Sequence, residues 1–240
     1  MAVNTINLLL FAMLPYVALF LFFLGTIMRY RKAPFTYSSL SSQFLENQQH
    51  FWAMVAFHYG IILILLSHLI DFLFAGQIMA WNRSVWRLYA TEVLDLSFAL
   101  MTLVGLVGIL ERRLHFSRAR RVTSPADWLI EALLAVQVIA GIYIAVFHAW
   151  GSAWFPASIS PYLWSLFKFS PDVSYLATMP FVIKLHIVDA WLIILLFPFT
   201  RLVHILVAPF PYLWRKPQLV RWYGIRLLPA RAARASGAKG

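Results

Sequence analysis

The 240-residue sequence has no cysteine. That excludes disulfides, iron–sulfur ligation, zinc knuckles and covalent haem attachment together, so a redox metal in this chain must be held by His, Met or carboxylate. Charge is scarce as well. Only 12% of residues are charged, half the roughly 25% of an ordinary soluble domain, which is too little polar sequence to cover a soluble globule. Acidic residues are the rarest, nine against twenty Lys and Arg, and none lies between Ile205 and Gly240. No internal repeat is visible in the sequence, which argues against a transporter built from inverted halves. The opening Met-Ala-Val-Asn has no positive charge, and the apolar stretch after it is too long for a cleaved signal peptide.

What the sequence does contain is apolar: 62% hydrophobic residues, 17% aromatic, and a mean hydropathy of +0.75. A membrane-crossing helix needs about 20 apolar residues, and five runs qualify: Thr5–Met28, Phe51–Phe74, Tyr89–Leu110, Trp128–His148 and Met179–Pro209. The composition therefore predicts an all-α membrane protein with five transmembrane helices. The last run is long enough to tilt or to end in an interfacial turn, and Pro198 offers a kink site.

Basic residues set the topology. Arg29, Arg31 and Lys32 follow the first run, five arginines from Arg112 to Arg121 follow the third, and eight basic residues from Arg201 onward follow the fifth; at most four, Arg83, Arg87, Lys168 and Lys184, lie on the other side. The positive-inside rule then puts the N-terminus outside and the C-terminus in the cytoplasm. The net charge of +11 reads as topology and attraction to anionic lipid, with docking of a cytoplasmic partner as the functional alternative, and does not require nucleic acid. The organisation is a membrane domain over 1–222 and a basic cytoplasmic tail over 223–240.

There are seven histidines. His50 and His115 fall at the cytoplasmic boundary and His148 at the outer end of the fourth run. His58, His68, His186 and His204 lie inside the second and fifth runs, where an ionisable residue is a functional candidate by default. If the two runs are antiparallel neighbours, His58 is level with His204 and His68 with His186. Two cross-helix pairs at two depths suit the axial ligation of two b-type haems. On one continuous helix His186 and His204 share a face about 27 Å apart, whereas ten residues separate His58 from His68 by about 15 Å and a large rotation. The competing readings are core histidines bonded to backbone carbonyls, His148 as a substitute ligand, and a haem-free proton relay of His and Asp in a channel or transporter.

Phe57-His58-Tyr59-Gly60-Ile61 through His68, Phe197-Pro198-Phe199-Thr200-Arg201-Leu202-Val203-His204, and Arg215-Lys216-Pro217-Gln218-Leu219-Val220-Arg221 carry a family likeness, with lesser matches at Leu14-Pro15-Tyr16, Ser41-Ser42-Gln43 and Arg112-Arg113-Leu114. The sequence resembles the gamma subunit of respiratory nitrate reductase, a dihaem cytochrome b anchor, up to about Trp222. The resemblance implies two non-covalent, bis-His b haems, one near the cytoplasm on His58 and His204 and one near the outer face on His68 and His186. It implies quinol oxidation at the outer face, and electrons passed inward to a cytoplasmic iron–sulfur subunit and a molybdenum subunit that reduces nitrate. It further implies a prokaryotic cytoplasmic membrane and a quinone pool. The same kind of anchor could serve another molybdenum or heterodisulfide-type oxidoreductase, or run toward quinone reduction.

Arginine grips a carboxylate through a planar fork, so Arg112, Arg113 and Arg201, at the depth of His204, are candidate partners of the inner haem propionates. The family's basic quinol-site residue falls at Arg87 here, and the residue before the outer ligand is Ser67, whose hydroxyl suits a quinone oxygen. Asp71 and Asp189 each follow a candidate ligand by three residues where the family commonly has glycine or an apolar residue. Glu92 and Asp95 add an acid pair in the third run. Proton acceptance from quinol, orientation of the imidazoles, and pairing with Arg83, Arg87 and Lys184 are the available roles. For Glu92 and Asp95 the sequence favours ion pairing; Asp71 joins Arg87 and Ser67 as a quinol-site candidate.

Overall fold

A computed structural model describes residues 5–36 and 48–207. Five helices among them are long and apolar enough to cross a membrane: α1, Thr5–Lys32; α2, Gln48–Leu73; α3, Val85–His115; α4, Pro125–Phe147; and α5, Phe181–Leu196, whose crossing continues through a turn to Phe199. The Ser41-Ser42-Gln43 match, the His50 side chain, the Arg215–Arg221 match and the 223–240 tail lie outside the described residues.

α2 and α3 form the tightest helix pair, for a reason written in glycine. A Cβ on Gly105 would sit inside the van der Waals radius of the Phe57 backbone, and one on Gly60 would strike the Thr102 backbone and hydroxyl. Lipid gives no hydrophobic drive for helices to associate, so close backbone approach across small residues supplies the packing contact. α5 packs on α4 and α1. Gly25 of α1 lies under Pro198, where a Cβ would come within 2.9 Å of the proline ring. The two histidine-bearing helices, α2 and α5, are thus each packed mainly on other helices and not on each other.

The α4–α5 connection is itself helical and caps one end of the bundle. Pro15 has no N–H to give to the carbonyl four residues back; that carbonyl, on Phe11, instead accepts from the buried Tyr162 hydroxyl at 2.8 Å. Burial raises the Tyr162 phenol above its usual pKa, keeping it protonated as the donor. The Phe72 carbonyl at the end of α2 has no helical partner and receives Ser160 Oγ at 2.9 Å and Trp164 Nε1 at 3.3 Å. Glu92 of α3 accepts from both the N–H (2.8 Å) and the hydroxyl (2.6 Å) of Ser152. The Ser152→Ala variant therefore loses one of two bonds to a carboxylate, a cost of roughly 1.5–3 kcal/mol. Chemical unfolding in mixed micelles should show the lower midpoint.

The fifth run, expected to tilt or to end in an interfacial turn with Pro198 as a kink site, ends its helix early, and Pro209 lies outside the described residues. The α-helix ends at Leu196, tightens into a 3₁₀ turn at Phe197–Phe199, and breaks at Thr200, which is extended (φ −115°, ψ −177°). A separate 3₁₀ segment, Arg201–Val207, carries His204. Pro198 is the cause: it cannot donate to Ile194, and the Phe197 N–H takes that carbonyl over. The 18-residue helical relation between His186 and His204 therefore does not exist in the folded chain.

Candidate functional site

His58 and His204 come together from α2 and the 3₁₀ segment, their ring centroids 6.2 Å apart and the planes 66° apart. His58 Nδ1 donates to the Met54 carbonyl at 2.8 Å, and His204 Nδ1 to the Arg201 carbonyl at 2.6 Å. A carbonyl only accepts, so each Nδ1 carries the proton and each Nε2 keeps a free lone pair. The metal–nitrogen bond of an imidazole is about 2 Å, and one such bond on either side of a single ion puts the ring centroids roughly 6 Å apart. Both tautomer and separation thus suit an axial pair. Among the described residues no three His, Cys, Asp or Glu side chains converge on a metal position, and a macrocycle that brings its own four nitrogens requires no such group.

The second pair is arranged differently. His68 Nδ1 donates to the Ile64 carbonyl at 2.8 Å, leaving Nε2 bare, and its ring meets Phe155 of the cap edge-on at 5.4 Å. His186 lies within electrostatic range of His68. Its Nε2 is 3.2 Å from the Gln137 amide, and its buried Nδ1 has no hydrogen-bond partner. With the Gln137 amide oriented to satisfy its surroundings, its nitrogen donates to Asp189 Oδ2 (2.9 Å) and to the His186 carbonyl (3.0 Å), while its oxygen accepts from His186 Nε2. His186 thus has one nitrogen occupied and the other free, with the roles of the two exchanged. Gly141 makes room for this ring, since a Cβ there would come within 3.2 Å of His186 Cε1. His148 caps α4 beside Tyr143, and its carbonyl accepts from Trp154 Nε1. His115 is exposed at the end of α3.

Among the described residues Glu92 and Asp95 form no ion pair with Arg83, Arg87 or Lys184, the role favoured for those two. Glu92 is taken by Ser152, Asp95 lies beside Ser67, and Asp71 is buried beside both carboxylates. Arg87 turns away, donating to the Trp81 carbonyl at 2.8 Å and covering the Trp81 ring at 4.9 Å, and Lys184 donates to the Ala177 carbonyl. Local backbone acceptors outcompete a carboxylate across the bundle because reaching them costs the long side chains less order. Ser67, Asp71 and His68 therefore share one region through Asp95, and Arg87 stands apart at the exposed start of α3.

At the opposite end the arginines are paired. Arg113 Nε meets Glu131 Oε1 at 2.9 Å, and Arg201 Nε meets Asp127 Oδ1 at 2.8 Å. Arg112 is buried at 4% exposure. Arg113 Nη1 remains a buried donor without a partner. Arg29 of α1 donates through Nη1 to the Pro198 and Thr200 carbonyls at 2.7 and 2.8 Å, satisfying acceptors that the broken helix leaves open. Sequence reasoning misses Arg29, Asp127, Glu131 and Gln137 as site residues. Asp127 and Glu131 have a readable signal: they are four apart, hence on one helical face, level with three arginines.

A sequence model of the nitrate reductase gamma subunit family matches residues 7–223. The chain belongs to that family. It is 33% identical over 227 residues to the respiratory nitrate reductase 2 gamma chain of Escherichia coli (strain K12), covering 91% of this chain and 98% of that one. It is 28% identical over 210 residues to the nitrate reductase gamma chain of Bacillus subtilis (strain 168), covering 86% and 94%. As a gamma subunit with five apolar helices, it is an integral membrane component of an oxidoreductase complex.

Proposed function

We propose that this gamma subunit is the quinol-oxidising electron carrier of a respiratory nitrate reductase, with an inner b haem held by His58 and His204 and an outer b haem held by His68 and His186. Two haems at two depths supply one-electron transfer from one face of the membrane to the other. The observation that carries the reading is the 6.2 Å separation of the His58 and His204 rings with both Nε2 atoms free. The looser packing between α2 and α5 supports it, because a flat macrocycle must lie between the helices that ligate it.

Each residue group has a task in this reading. The carbonyls of Met54, Ile64 and Arg201 and the Gln137 amide fix the imidazole tautomers. Arg113, with a buried donor to spare, together with Arg112 and Arg201, holds the inner propionates. At the outer end the Ser67 hydroxyl orients a quinol oxygen, and Asp71 and Asp95 offer carboxylate oxygens for the protons released there. Arg87 would reach a quinol only by leaving Trp81. The basic end faces the cytoplasm, where electrons leave for the iron–sulfur and molybdenum subunits, in a prokaryotic inner membrane.

A reduced-minus-oxidised spectrum with haem quantified per chain tests this directly: two b haems are expected, and none in folded protein made with adequate haem refutes the proposal. The His68→Ala variant should lose the outer haem and quinol oxidation while keeping the inner haem, and unchanged haem content would remove His68 from the ligand set.

A further inference from the structure

The first turns of α4 hold two carboxylates that no step above uses. Asp127 and Glu131 are 2% and 5% exposed, and a buried carboxylate in a membrane protein is costly unless paired. Asp127 has two distinct partners. Its Oδ2 accepts the Ser124 N–H at 2.8 Å, and its own N–H donates to Ser124 Oγ at 3.2 Å, closing a capping box. The cap leaves Oδ1 free, and Oδ1 meets Arg201 Nε at 2.8 Å. The same guanidinium donates through Nη2 to the Val122 carbonyl at 2.8 Å. Arg201 is therefore held by the cap of α4 and by the chain just before it. The Arg201 carbonyl in turn accepts from His204 Nδ1 at 2.6 Å.

We propose that Asp127 is the positioning residue for His204: its ion pair to Arg201 fixes the carbonyl that holds the His204 imidazole. The proposal rests on the haem-ligand reading of His204. The need for an outside anchor follows from the break at Thr200. A seven-residue 3₁₀ segment is weakly held by its own hydrogen bonds, and no α-helix runs from α5 into it. Its placement must come from neighbours. Arg29 holds the preceding turn from α1, and Asp127 holds the first residue of the segment itself from α4. An imidazole that hangs from a backbone carbonyl turns with that carbonyl, so an Arg201 that has lost its ion pair holds the His204 ring plane less firmly. Ligand-orienting partners of this kind typically change metal affinity ten- to hundredfold when removed.

The test compares Asp127→Asn with the wild type, each in the complete subunit complex. Asparagine keeps an oxygen for the Ser124 N–H and loses the charge that holds Arg201. The inner haem should pass to apomyoglobin roughly ten- to hundredfold faster, with a shifted midpoint potential and an altered low-spin EPR signal, while the outer haem keeps its wild-type rate and signal. Should Asp127→Asn fail to fold, Asp127→Glu and Asp127→Gln make the same comparison, since a capping box accepts either side chain: the glutamate restores the inner haem and the glutamine does not. Ser124→Ala removes the capping hydroxyl and leaves the ion pair, so it should lower the unfolding midpoint and leave both haem signals unchanged. Equal inner-haem loss rates and signals in Asp127→Asn and wild type would overturn the proposal, as would equal disturbance of both haems. A wild-type complex whose gamma subunit holds no haem would instead overturn the ligand reading beneath it.

Discussion

The His204→Ala variant should retain one haem per chain instead of two, and His58→Ala should lose the same one. Their rings stand 6.2 Å apart, and each Nδ1–H is already committed to a backbone carbonyl, so in the proposed reading the two Nε2 atoms ligate one iron. In that reading a non-covalent haem in a chain without cysteine is held by those two bonds, its propionate contacts and its packing. Losing one bond should cost more than the ten- to hundredfold that an orienting partner is worth. Residues acting as one unit are not additive. The double variant should therefore resemble either single one, with the outer haem intact. The pyridine haemochrome assay per mole of chain reads the count, and low-spin EPR reads which haem is gone. Two haems in either single variant would show that the pair does not ligate one iron.

The second large effect concerns packing. Gly105→Ala places a methyl group against the backbone of Phe57, the residue next to His58, and a backbone cannot rotate aside as a side chain can. Overpacking of this kind costs about 1–3 kcal/mol, and Gly105→Val should cost more. Gly60→Ala, which meets the Thr102 backbone, should behave in the same way. The damage should extend to function because moving α2 off α3 carries His58 with it. Unfolding in mixed micelles should show the loss of stability, and haem content should fall with it at the inner position first. Gly76→Ala is the control: a Cβ added there would meet nothing within 4 Å, and the residue sits in a short helix, so stability should hold or rise slightly. Equal behaviour of Gly105→Ala and Gly76→Ala would refute the close-contact argument.

Much of the molecule is legible in the chain itself. Five apolar runs appear as five helices, because a lipid-exposed backbone has to satisfy its hydrogen bonds within each crossing, and the fifth helix stops at Leu196, well short of its apolar run. Membership of the gamma subunit family is legible too, since the likeness is spread over most of the chain. The four histidines stand out as residue types too polar for their runs. Their depth and the family spacing suggest which would face which, and for His58 and His204 the folded chain brings the two rings together.

Other features depend on three-dimensional neighbours. The break at Thr200 follows from Pro198, but whether a proline kinks a helix or ends it depends on what receives the freed carbonyls, and here Arg29 of a distant helix does. The expected pairing of Glu92 with Arg87 or Lys184 is not made among the described residues, where Ser152 takes Glu92 and backbone carbonyls take Arg87 and Lys184. Gln137 and Asp127 orient His186 and Arg201 from another helix, across 49 and 74 residues of chain. Composition and periodicity determined what each segment had to bury; which polar atoms meet inside was decided by tertiary packing, because a hydrogen bond is set by distance and direction and leaves no trace in sequence order.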